Sequence, residues 1–291
     1  MKIVTWNTQW CCGLDGVVSP QRIVESAHEL AGTDGFDVLC LQEIAQGYAD
    51  LPGHPGDQPA ELTALLPGYQ LFFGAAVDEL SQDNHRQRFG NLVATRLPVQ
   101  QVAHHMLPWP AEGDVPSMPR MCTVVTVQDP LLGPVRVMTT HLEYYSQIQR
   151  NAQADALRAL HLEACAHINA PPKPLPEHTT WPFRTKAHTP HTVLCGDFNM
   201  QSDDPAYARI LTPHAHETGR AEWSLQNAWL LLYGMVPQAP TFRLFDRRFG
   251  PDPVTCDFIF VSGSLAPHVH EMRIDGITQV SDHQPVLIRL G

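Results

Sequence analysis

An α/β fold is predicted for this chain of 291 residues, on three observations. Residues 2–41 read as strand, helix, strand, the crossover unit that joins two parallel strands. Beyond them, short apolar strands continue to alternate with helical patterns as far as the C-terminus. No stretch has the composition of a strong linker, so one domain spanning 1–291 is expected, with a Pro-rich insertion near 169–191.

The first strand, residues 2–8, carries Ile3, Val4 and Trp6 and ends at Asn7. In 19–30, Ser19 is the N-cap, Pro20 takes the first helical position, and Ile23, Val24, Ala27 and Leu30 are spaced for one buried face. Gly32 and Gly35 stop that helix. Residues 36–41 are apolar apart from Asp37 and run into Gln42 and Glu43. The stretch 50–57 is rich in Pro and Gly and reads as loop, and 61–66 as a short helix stopped by Pro67 and Gly68. Strands are expected at 69–73 and 91–95, joined by the polar segment 78–88. Prolines make 104–119 irregular. A hairpin follows, 122–127 and 135–140, whose second strand enters His141. The longest helical pattern is 147–167. Residues 169–191 hold too many prolines for regular structure and read either as a surface insertion or as a substrate-contacting flap using Trp181, Phe183, Arg184 and Lys186. A β-branched apolar strand, 192–195, ends at Gly196, and Asp197 and Asn199 then flank Phe198 at the period of an extended chain. Helices are expected at 205–211 and 221–232, a strand at 258–261 directly after Asp257, and a closing strand at 286–290 after Ser281, Asp282 and His283.

Nineteen basic against thirty acidic side chains give a net charge of -11. Broad binding to duplex DNA is not expected from such a chain. A phosphorylated substrate remains compatible, because a bound divalent cation reverses the sign inside a cleft. The seven cysteines are odd in number and lack metal-ligand spacing. They are expected as free core thiols, which suggests a reducing compartment. Met1 leads straight into an apolar strand without a signal-peptide pattern, and no run approaches the ~18 apolar residues of a spanning helix. The expectation is a soluble cytoplasmic protein that uses neither a membrane nor an obligate protein partner.

Six polar clusters each end an apolar run: Asn7, Gln42 with Glu43, His141, Asp197 with Asn199, Asp257, and Asp282 with His283. Together they offer hard oxygen ligands in Glu43, Asp282 and the Asn7 amide, two imidazoles and further carboxylates. That inventory suits Mg²⁺ or Mn²⁺ and not zinc. The chemistry it can run is metal-assisted hydrolysis of a phosphoester. A carboxylate deprotonates water, and an amide and a protonated His hold the phosphorus oxygens.

These residues resemble the endonuclease/exonuclease/phosphatase superfamily, which includes deoxyribonuclease I, exonuclease III, neutral sphingomyelinases and inositol polyphosphate phosphatases. The motifs that carry the resemblance are Thr5-Trp6-Asn7, Leu41-Gln42-Glu43, Thr140-His141-Leu142, Gly196-Asp197-Phe198-Asn199, Asp257-Phe258-Ile259 and Ser281-Asp282-His283, in the family's order. The resemblance implies a four-layer sandwich, two mixed sheets face to face with helices outside and one active site at the strand ends. It also implies roles. Glu43 becomes the principal metal ligand, with Asn7 and Asp282 on the metal side. Asp197 orients and deprotonates the attacking water, Asn199 binds phosphate, and His283 faces the scissile phosphate while Asp257 keeps it charged. His141 would assist the leaving group. Arg88, Asn91 and Arg243 are candidates for substrate binding, since a guanidinium presents a planar donor fork to phosphate. The implied enzyme is a Mg²⁺- or Mn²⁺-dependent phosphodiesterase or phosphatase acting on a small molecule or a nucleic-acid end. The alternatives are a DNA repair endonuclease or exonuclease, and a catalytically inactive binding scaffold.

Overall fold

The structure, a computed structural model, describes residues 1–174, 182, 184–213 and 221–291. Along these residues run β1 (Lys2–Asn7), α1 (Pro20–Ala31), β2 (Val38–Gln46), α2 (Gln58–Leu65), β3 (Gln70–Leu80), β4 (Arg86–Thr95), β5 (Val99–Met106), β6 (Met121–Asp129), β7 (Gly133–His141), α3 (Gln147–Asn169) and β8 (Thr192–Asp197). The remainder holds α4 (Pro205–Leu211), β9 (Leu225–Asn227), α5 (Ala228–Tyr233), β10 (Asp257–Ser262), β11 (Val269–Ile274) and β12 (Val286–Leu290).

The strands form two mixed six-stranded sheets, ordered β11-β12-β1-β2-β4-β3 and β5-β6-β7-β8-β10-β9. Each contains one parallel pair with a helix in its connection, β1–β2 through α1 and β7–β8 through α3. The crossover predicted from residues 2–41 is the first of these. Alternation along each strand sends one set of side chains inward. Ile3, Val38, Cys40 and Val93 of the first sheet therefore meet Val125, Val137, Val193, Cys195 and Ile259 of the second in a fully buried middle layer. The opposite set faces the helices. Ile23, Val24, Ala27 and Ala31 of α1 cover Trp6, Leu39 and Leu41, while Leu157 of α3 and Tyr207 and Ile210 of α4 cover Met138, Leu194, Phe258 and Phe260. The result is the four-layer α/β sandwich.

Helix α1 follows the expected chemistry. The Ser19 side chain accepts from the Arg22 amide, Pro20 opens the first turn, and Gly32 at φ 77° ends it. Buried Gln42 fastens the two sheets to each other, its Nε2 donating to Thr139 Oγ1 at 2.8 Å.

The structure corrects several boundaries. The polar segment 78–88 is largely strand, because β3 and β4 make one long hairpin that reaches past the sandwich into solvent, where no apolar alternation marks it. Strand β5 enters the segment expected to be irregular and pairs with β6 as far as Met106. Residues 221–232 are not one helix: a single 3-10 turn, Ala221–Trp223, is followed by β9 and then α5. Asn227 divides them by ending the strand and accepting from Trp229 N as helix cap. Strand β11 was not anticipated. Helix α3 ends at Asn169, where the expected insertion begins, and Trp181 and Phe183, the aromatic contacts of the flap reading, lie outside the described residues. All seven cysteines are buried free thiols. No helix among the described residues is long and apolar enough to cross a membrane.

Candidate active site

The second sheet sets three of the candidate residues in one row. His141 at the end of β7 is in register with Asp197 on β8, and Asp197 with Asp257 on β10. Gly196 makes the approach of β8 to β7 possible. At φ 139° it would place a Cβ 2.0 Å from the Thr140 carbonyl oxygen, so no side chain fits.

The first sheet answers from across the cleft. Asn7 ends β1, but β2 does not end at Glu43. Leu41 pairs with Leu92 and Ile44 with Gly90, so Gln42 and Glu43 bulge opposite the single residue Asn91. Glu43 takes φ 60°, a strained value for a residue with a long side chain. The bulge turns Glu43 into the cleft while Gln42 stays buried between the sheets.

Asp197, 1% exposed, is the hub. Its Oδ2 accepts from Asn7 Nδ2 at 2.9 Å and its Oδ1 from the Asn199 backbone N at 2.8 Å. Asn7 Nδ2 also donates to Glu43 Oε1 at 3.1 Å, so one amide bridges the carboxylates of the two sheets. His141 Nε2 and His283 Nε2 stand 3.5 and 3.7 Å from Asp197 Oδ2. His283 Nδ1 bonds Asp257 Oδ2 at 2.9 Å, and its ring stacks on Phe242 with centroids 4.3 Å apart.

The two imidazoles are driven in opposite directions. Burial alone would lower the pKa of His283, but the carboxylates of Asp257 and Asp197 outweigh it and hold the ring charged well above the ordinary range. Burial and the Arg120 guanidinium push His141 down to about 3. His141 is therefore neutral, and because its Nε2 accepts from Asn199 Nδ2 at 2.9 Å, the proton resides on Nδ1. Asn199 gives its other amide hydrogen to the Leu142 carbonyl. Both hydrogens are thus engaged within the protein, and the phosphate-binding amide expected at Asn199 instead holds His141.

Burial, Asp282 and Asp197 push Glu43 up to about 7, with the Asn7 hydrogen bond and His283 opposing. Burial likewise raises Asp282, which is 8% exposed. Carboxylates that destabilise one another at a cleft are what a hard divalent cation relieves, so Glu43 and Asp282 fit Mg²⁺ or Mn²⁺. Asn7 turns its amide nitrogen toward the carboxylates and its oxygen to Gln9 N, and so helps to position Glu43. Ligand atoms of Asp197, Cys256 and His283 also lie within 4.8 Å of one another. That trio suits a cation poorly. The imidazole is charged, and burial raises the Cys256 thiol well above its ordinary range.

Two hollows include residues of the cluster in their lining. A narrow one is lined by Glu43, Asn91, Arg120 and His141. A second, of about 220 Å³, is lined by Asn199, Arg243, Phe242, Tyr144 and Arg150. A third, of about 490 Å³, lies among Trp10, Cys12, Phe245, Arg248 and Phe249. Two of the three expected substrate-binding residues therefore sit beside the site. Arg88 does not: its Nε donates to Gln46 Oε1 at 2.6 Å and its guanidinium lies over Phe73, three residues along β4 from Asn91.

Arg120 is the residue the sequence reading missed. It is 6% exposed, its Nε donates to buried Glu143 at 3.2 Å, and its Nη1 has no partner. The available signal was its position directly before the apolar strand 121–127, where an arginine is costly unless paired.

The fold and the strand-end cleft define a class, the α/β-sandwich hydrolases with a carboxylate-rich site. The model of the Endonuclease/Exonuclease/phosphatase family matches residues 4–283, and the chain belongs to this family of phosphoester hydrolases. Among solved structures, an endonuclease/exonuclease/phosphatase from Beutenbergia cavernae is similar at 25% identity and TM-score 0.68, over 100% of this chain and 72% of that one. The mannosyl-6-phosphatase of Bacteroides thetaiotaomicron is similar at 16% identity and TM-score 0.64, over 100% and 99%. The human Nocturnin catalytic domain with bound sulfate follows at 18% identity and TM-score 0.58, over 100% and 94%. No curated protein sequence matches significantly.

Proposed function

We infer that this protein hydrolyses a small or terminal phosphoester by in-line attack of water, using Mg²⁺ or Mn²⁺ held by Glu43 and Asp282. The observation that carries the reading is the convergence on Asp197 of an amide from the opposite sheet and two imidazoles of unlike charge. When bound, the cation supplies positive charge to the phosphate and leaving-group oxygens. Asp197 takes the proton of the attacking water, its two oxygens fixed by Asn7 Nδ2 and the Asn199 backbone N. His283, kept charged by Asp257, donates from Nε2 to a phosphorus oxygen and stabilises the charge that grows there. Neutral His141 offers Nδ1–H toward the hollow it shares with Glu43, Asn91 and Arg120. Arg120 Nη1, buried without an acceptor, binds a phosphate oxygen in that hollow.

The net charge of -11 and aromatic hollows of a few hundred Å³ favour a compact phosphoester over a duplex. The similarity to a sugar phosphatase and to a domain that holds sulfate supports an oxyanion of this kind. The test is a panel of bis-p-nitrophenyl phosphate, sugar phosphates, inositol phosphates, abasic duplex and single-stranded DNA, each with Mg²⁺, Mn²⁺ or EDTA. Turnover of a small phosphoester that EDTA abolishes is expected. Preference for the abasic duplex would overturn the substrate class, and turnover surviving EDTA would overturn the mechanism.

A further inference from the structure

A second cavity, of about 220 Å³, opens on the outer face of the second sheet. Its floor is β5, β6 and β7, through Ala103, Thr126, Arg136 and Met138, and its walls are α3 and residues 186–189. Arg136 lies five residues before His141 on the same strand, roughly 16 Å from the catalytic row. The cavity is therefore separate from the phosphoester cleft.

What distinguishes this cavity is uncompensated positive charge. Arg136 is 8% exposed, and no carboxylate among the described residues pairs with it. One Nη2 lies 2.7 Å from Thr192 Oγ1 and 3.3 Å from His161 Nδ1, while the buried Nε has no acceptor among the described residues. The acidic side chains that act on Arg136 are the Cys165 and Cys122 thiols, whose pKa burial pushes up. Among the described residues, Lys186 Nζ donates to the Pro182 carbonyl, at 3.3 Å. His188 stacks on His167 with ring centroids 4.9 Å apart and leaves a buried Nε2 unpartnered. Glu163 is the one acid among the described lining residues, and it is exposed. A buried guanidinium without a counter-charge is strongly unfavourable unless something anionic satisfies it. Met138, Leu160 and Ala164 add an apolar wall to the same space.

We propose that this cavity is a second binding site, for a small organic anion whose phosphate or carboxylate head pairs with Arg136 and Lys186 and whose apolar body rests on Met138, Leu160 and Ala164. The volume is below the ~300–1,000 Å³ of drug-sized sites, which restricts the ligand to about ten non-hydrogen atoms. A planar, forked donor favours an oxyanion with two oxygens in one plane or three about one atom, as carboxylate and phosphate provide.

The experiment is calorimetric titration of the full-length protein in EDTA, with inorganic phosphate, phenyl phosphate and benzoate as probes. Because the readout is binding without metal, it stands or falls separately from the hydrolytic reading. Saturable binding of phenyl phosphate or benzoate at about millimolar concentration or below is expected, and which of the two binds tighter identifies the head group. Lys186→Ala and the cavity-filling Ala164→Phe should each weaken it by ~10-fold or more, with kcat/KM for the phosphoester unchanged. Arg136→Met should abolish binding while melting no lower than wild type in the absence of probe. Failure of both organic probes to bind, or binding left intact by Lys186→Ala and Ala164→Phe together, would overturn the proposal.

Discussion

Replacing Glu43 by Gln should make the metal-free protein more stable in mild alkali. Burial and the neighbouring carboxylates of Asp282 and Asp197 raise the Glu43 pKa from 4.5 to about 7. A group whose folded pKa lies above its unfolded value stabilises the fold fully below the unfolded value and loses that contribution as pH rises through the folded one. The window here runs from 4.5 to about 7. A shift of this size corresponds to about 3 kcal/mol, and the 20% exposure of the side chain with its coupling to Asp282 reduces the figure to about 1–3 kcal/mol. Gln keeps the oxygen that Asn7 bonds and carries no charge. In EDTA near pH 8 the variant should therefore melt about 2–6 °C above wild type, and near pH 4 the two should coincide. Mg²⁺ or Mn²⁺ should then raise the wild-type melting temperature and leave the variant's almost unmoved. Differential scanning calorimetry measures all of these. A variant that melts below wild type near pH 8 without metal would show that Glu43 is satisfied by the protein alone, and the argument for a cation there would fail.

Asp197→Asn should lower turnover by at least ~10²-fold with little change in melting temperature, since it removes the proton acceptor and preserves shape; steady-state rates beside a thermal melt decide it. Asp257→Asn removes one of the two carboxylates that together outweigh burial at His283. If the charged ring is needed, the alkaline limb of the pH–rate profile should move to lower pH, and an unmoved limb would assign the limb to another group. Gly196→Ala forces a Cβ against the Thr140 carbonyl and should cost about 3 kcal/mol or more, read from urea unfolding. Arg120→Lys retains charge for Glu143 but loses the fork, so KM should rise by ~10-fold with kcat less affected, and an unchanged KM would remove Arg120 from substrate binding.

The polar ends of apolar runs were the readable part of this chain. Asn7, His141 and Asp197 end a buried strand, Glu43 interrupts one, Asp257 opens one, Asp282 and His283 stand just before one, and the sandwich brings these positions together. Features that depend on tertiary context were not readable. Glu43 looked like a strand terminus because a bulge and the resumption of β2 to Gln46 leave no mark in a run of nine mostly apolar residues. The tip of the β3–β4 hairpin is solvated on both faces, so its strands lack alternation. Arg120 follows a Pro-rich stretch whose path is set by packing. The amide of Asn199 could be placed at the cleft from sequence, but which groups take its hydrogens depends on where β7 lies.

The most direct test of the catalytic account is p-nitrophenol release from bis-p-nitrophenyl phosphate by wild type and by Asp197→Asn, Glu43→Gln and His283→Ala, with Mn²⁺ and then with excess EDTA. Mn²⁺-dependent release by wild type is expected, with its loss in EDTA, a near-dead Asp197→Asn, a His283→Ala well below wild type, and a Glu43→Gln that recovers in part as Mn²⁺ is raised. Release that persists in EDTA, or an Asp197→Asn as fast as wild type, would contradict the mechanism.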